Sequence, residues 1–81
     1  MFMKFVSDLA DQSGIKLSSI TLVDGRSYGL PDTYLLQMFK KNRLTTALIY
    51  QSELDDLGQG IQSDLLENRI NSALANIYIK Q

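Results

Sequence analysis

The sequence predicts an α+β fold: a three-stranded antiparallel sheet with helices packed on it, one layer of each. Three observations carry that prediction. Leu66, Ile70, Ala73, Leu74 and Ile77 form one helical stripe near the carboxy terminus, while ITLV and RLTTALIY have the β-branched, alternating character of strands. Asp24-Gly25, between apolar runs, is a strong short-range hairpin signal.

The first element is an amphipathic helix. Phe2, Phe5, Val6, Leu9 and Ala10 recur at helical spacing, with Lys4, Asp8 and Asp11 largely on the other side. Ser13-Gly14 ends it, since glycine readily takes the left-handed conformation just past a helix end. A β-hairpin is expected from Ile15 to Leu30. A loop made of Val23, Asp24 and Gly25 gathers Ile20, Leu22, Tyr28 and Leu30 on one face, whereas a loop of Asp24-Gly25 alone splits them. A slip of one residue moves a whole strand's side chains to the other face, so burial selects the longer loop, with Gly25 in a left-handed bulge position.

Leu30-Pro31-Asp32-Thr33 reads as a helix start, because proline suits the first turn and an Asp or Thr oxygen can accept from free backbone N–H groups. That helix runs to about Lys41 and buries Leu35, Met38 and Phe39, with Tyr34 and Leu36 flanking. Lys40 and Lys41 then complement the negative end of its dipole, and Asn42 caps it. Arg43 to Gln51 reads as a third strand, apolar on both faces. A helix through Ala47, Tyr50, Leu54 and Leu57 to Gly58 competes, but Thr, Ile and Tyr favour the strand. Ser52 caps a short helical turn over Glu53 to Leu57, with Asp55 at its third position, and Gly58-Gln59-Gly60 is a loop. Ser63 or Asp64 opens the long final helix, where Asp64 and Glu67 make a variant capping box, and Leu65 and Tyr78 widen the apolar stripe.

With 81 residues, the chain is expected to be a single domain spanning 1–81. So short a chain buries only about 60% of the surface its unfolded form exposes, so its own core leaves stability marginal. The sequence has neither cysteine nor histidine, which removes disulfides and the usual zinc ligands and leaves self-association as the remaining device. Asp8 and Asp11 interrupt the amino-terminal apolar run, and no stretch approaches the ~20 apolar residues of a membrane span. The expected location is the cytoplasm, with no membrane partner.

Missing histidine and cysteine also remove the commonest nucleophile and base pairs. Glu53, Asp55 and Asp56 are the densest acidic cluster, but carboxylates in the first turn of a helix are explained by its dipole before any cation or acid–base role. Gly25 and Gly29 flank Arg26 without the spacing of a phosphate-binding loop. No catalytic, metal-binding or cofactor-binding residues are therefore expected.

What remains is binding. The expected function is a non-catalytic protein-binding, assembly or regulatory module that self-associates as a homodimer, through the last helix and the hairpin edge. Leu66, Ile70 and Leu74, with Tyr34 and Tyr78 at the edges of their stripes, are the expected partner contacts. The alternative is a small nucleic-acid-binding regulator using Arg26, Lys40, Lys41 and Arg43, although a net charge of −1 runs against it.

Overall fold

The computed structural model describes residues 2–78, with Tyr78 described in its backbone alone. The amino-terminal apolar stripe winds into α1 (Phe2–Gln12), which buries Val6, Leu9 and Ala10. Its end is closed as the sequence predicts. Gly14 takes φ 74°, and the N–H groups of Ile15 and Gly14 reach back to the carbonyls of Ala10 and Asp11 at 2.9 and 3.0 Å.

Three strands follow: β1 (Ser19–Asp24), β2 (Thr33–Lys40) and β3 (Arg43–Tyr50). They form an antiparallel sheet in the order β1-β2-β3. The chain then enters α2 (Gln51–Gly58) and α3 (Asp64–Tyr78). The α+β class and the three-stranded antiparallel sheet with helices on it are those the sequence predicts, and β3 is the predicted third strand.

The path into the sheet differs at two places. The chain does not turn back into a strand at Asp24-Gly25. Asp24 instead caps a 3-10 turn over Gly25–Tyr28, its side chain accepting from the N–H of Arg26 at 2.9 Å. This local side-chain bond outcompetes a tight hairpin. Ile20 and Leu22 pack against the core as expected, but Tyr28 and Leu30 are exposed. The backbone of Gly25 is not left-handed; Gly29 is, at φ 75°.

The second difference is larger. The segment expected as a helix over Asp32–Lys41 is the central strand β2. Pro31 and Asp32, with φ 56° at Asp32, make a turn in which proline takes the first central position and a positive φ the second. Thr33 donates its hydroxyl to the Pro31 carbonyl at 3.1 Å. Apart from Gln37, Tyr34 to Phe39 is uninterruptedly apolar, which a helix on one side of a sheet could not bury all round. A strand paired on both edges accommodates that run, and tertiary pairing overrides the helix propensity of Leu, Met and Gln.

Tyr34, Leu36 and Met38 of β2 join Thr45, Ala47 and Ile49 of β3 and Ile20 and Leu22 of β1 on one face. Over this face lies α3, whose Leu66, Ile70, Ala73, Leu74 and Ile77 are buried with α1 in one core cluster. Leu65 does not widen that stripe; it is 74% exposed. The cap of α3 is Ser63 rather than Asp64, its hydroxyl oxygen accepting from the Leu66 N–H at 3.2 Å. At α2 the expected Ser52 and Asp55 are each displaced by two positions. The helix begins at Gln51, and the Glu53 carboxylate accepts from the Tyr50 N–H at 2.9 Å.

Candidate functional site

Alternation along the strands sends the remaining side chains to the opposite face of the sheet. The register aligns them in rows: Val23 beside Leu35 beside Leu48, Thr21 beside Gln37 beside Thr46, and Phe39 beside Leu44, with Tyr50 at the far end of β3. Neither α1 nor α3 covers this face. Leu44, Leu48 and Tyr50 are 53, 39 and 45% exposed. The molecule measures 18 Å along its shortest axis, and a helix with its side chains occupies about 10–12 Å of that. Only one sheet and one helical layer fit. The strand over Arg43–Gln51, expected to be buried on both faces, is therefore buried on one, and Leu44, Thr46, Leu48 and Tyr50 point outward. Thr45, Ala47 and Ile49 face inward and are buried.

Among the described residues no strand side chain on this outer face is charged; the Arg69 guanidinium of α3 reaches it at one edge, 5.3 Å from the centre of the Tyr50 ring. Charge is displaced to its two ends. At one end the loop Lys41-Asn42 joins β2 to β3, flanked by the paired Lys40 and Arg43. Lys41 adopts φ 58° there, and its N–H donates to the Ser18 hydroxyl at 2.9 Å. The Arg43 guanidinium lies 3.5 Å from the Ile77 carbonyl near the carboxy-terminal end of α3, where the helix dipole favours a cation.

The other end is acidic, with Asp24, Asp32, Glu53, Asp55 and Asp56 where β1 and β3 finish, β2 starts and α2 begins. Pro31, Asp32, Thr33, Tyr50, Ser52 and Asp55 line an open groove of about 660 Å³ there. Asp32 and Asp55 are both exposed. Glu53 is turned away from it. Its carboxylate holds the Arg69 guanidinium at 2.8 Å, and Arg69 also donates to the Leu48 carbonyl at 3.1 Å and lies 5.3 Å from the centre of the Tyr50 ring. Asp24 is engaged by Arg26, whose side-chain hydrogen bonds, and then its backbone N–H, hold the Asp24 carboxyl below the usual aspartate range.

The comparisons assign no family. No family model matches the chain, and no curated protein or solved structure matches it.

The sequence-predicted site residues are scattered by this arrangement. Leu66, Ile70 and Leu74 are buried in the core against the sheet and α1, not displayed on the surface. Tyr34 is half-buried on the inner face, its hydroxyl donating to Gln51 Oε1 at 2.6 Å. The Tyr78 side chain lies outside the described residues. Of the basic set, Lys40, Lys41 and Arg43 come together at the hairpin tip. Arg26 does not join them. It is bound to Asp24 at the acidic end, about 20 Å away along β2. Among the described residues no three carboxylates are grouped so as to hold a metal ion, and no helix is long and apolar enough to cross a membrane.

The residues that sequence reasoning missed are those of the outer face: Val23, Leu35, Leu44, Leu48 and Tyr50. The alternation of Leu44, Leu48 and Tyr50 is visible in the sequence, whereas Leu35 reads there as helical and Val23 as part of a turn. What turned them outward is the number of layers, which no local pattern encodes.

Proposed function

We propose that this chain is a small, non-catalytic protein-binding module whose contact surface is the uncovered face of the sheet. The observation that carries this reading is the outward placement of Leu44, Leu48 and Tyr50 on a face whose described strand side chains are all uncharged. Exposed apolar surface depleted of charge is the composition of an interface core, and aromatic residues are enriched there; the uncharged row Thr21, Gln37 and Thr46 crosses it. The lack of histidine and cysteine, and the engagement of Glu53 by Arg69 and of Asp24 by Arg26, support a binding role over a catalytic one. A cysteine-free composition suits the cytoplasm.

The test is Leu48→Glu, which puts a charge between Leu44 and Tyr50 on the exposed strand of the face while leaving the core intact. The variant is expected to keep the circular dichroism spectrum of the parent and to lose every protein partner the parent retains, a second copy of itself included. Binding that survives the substitution in a folded variant excludes this face.

A nucleic-acid reading is favoured by one observation, the convergence of Lys40, Lys41 and Arg43 beside Phe39 at the edge of an open sheet. It requires retention on single-stranded DNA or RNA at low salt that Lys41→Glu weakens. The acidic opposite end, and the pairing of Arg26 with Asp24, weigh against it.

A further inference from the structure

The uncovered face and the two charged ends together identify what covers the face. We infer that its occupant is a second copy of this chain, packed sheet against sheet with the strands of the two copies running antiparallel across the interface. This rests on the reading of the outer face as a contact surface and adds the partner and its orientation.

The argument begins with symmetry. A two-fold dimer brings the same patch of both copies together, so each residue must tolerate its own copy's neighbours opposite it. A face of charged strand residues would meet like charge; the described strand side chains of this one carry none, and Arg69, held by Glu53, touches it only at the Tyr50 edge. Two face-to-face arrangements then remain. An axis along the strands would stack the Lys41 hairpin tip on its own copy and the Asp32 end on its own copy. An axis across the strands places the tip of each copy, with Lys41, at the end of the other where Asp32 and Asp55 border the 660 Å³ groove; Arg43 stays on the inner side, at the Ile77 carbonyl. Like charges opposed across an interface are costly and opposite ones steer association, so electrostatics selects the antiparallel arrangement.

The size of the face sets the strength. Two eight-residue strands and one of six, at about 3.3 Å per residue and about 4.8 Å apart, give a footprint of roughly 350 Å². That is below the ~800 Å² per partner of a standard interface, so the expected dimer is weak and concentration-dependent, with the charged ends helping to hold it.

Sedimentation velocity on the full chain from about 1 to about 500 µM tests this. The expected result is a concentration-dependent dimer, at least about tenfold weaker in ~500 mM than in ~50 mM salt. Lys41→Glu alone and Asp55→Lys alone should each weaken it by several-fold, and the two together in one chain should restore it. That restoration also separates lost contact from lost folding. A dimer that tightens as salt rises overturns the antiparallel arrangement, as does one indifferent to both substitutions. A chain that stays monomeric throughout overturns the inference. If such a monomer still binds a different protein, and Leu48→Glu abolishes that binding, the contact-face reading stands while the second-copy inference falls.

Discussion

At Gly25 the chain tolerates only hydrogen. A Cβ built there would stand 2.5 Å from the Thr33 carbonyl oxygen and 2.9 Å from that of Leu30, both backbone atoms that cannot swing away. The glycine is needed for this close approach and not for a left-handed turn. Gly25→Ala is accordingly expected to destabilise the fold by about 1–3 kcal/mol, measured as a lowered urea midpoint at unchanged slope. Its neighbour Asp24 gives a pH signature. The Arg26 bonds lower the folded-state pKa of its carboxyl, so its contribution to stability is complete above the ordinary aspartate range and is lost as pH falls through the lowered value. Acid unfolding followed by circular dichroism should show this loss in the parent, and Asp24→Asn should remove that component of the pH dependence.

At the scale of elements, the junction of β3, α2 and α3 depends on one cation. Arg69 of α3 joins the Glu53 carboxylate, the Leu48 carbonyl and the Tyr50 ring, and Glu53 in turn caps α2 through the Tyr50 N–H. Its bond to Leu48 also satisfies a carbonyl on an edge strand that would otherwise invite pairing. A lysine has the charge but not the fork needed to serve these partners at once. Arg69→Lys should therefore cost about 1–2 kcal/mol in thermal or denaturant unfolding, and Arg69→Ala no less.

For the whole molecule, the two faces of one sheet should respond oppositely. Leu36 is fully buried under the helices and Leu48 lies on the open face, although the strands that carry them are neighbours. Leu36→Ala is expected to lose about 2–5 kcal/mol of stability, whereas Leu48→Ala should lose under about 1 kcal/mol in dilute solution. At concentrations where the chain associates, the Leu48 variant should lose the further stabilisation that binding supplies, seen as a Tm that no longer rises with protein concentration.

The sequence by itself determined the elements whose signals are local. The period of Leu66, Ile70, Leu74 and Ile77 specified α3 and its buried stripe, Gly14 specified where α1 stops, and the β-branched alternation of Arg43 to Tyr50 specified β3. Only the tertiary structure decided that Thr33 to Lys40 is a strand, since its apolar run suits a helix or a strand until strands on both edges supply the missing hydrogen bonds. It also decided that Asp24-Gly25 opens a 3-10 turn, because the choice rested on where Arg26 and the Thr33 carbonyl come to lie. The candidate site was the least legible part. Leu44, Leu48 and Tyr50 look like core in any window of sequence, and they are surface because α1 and α3 are both spent on the opposite face.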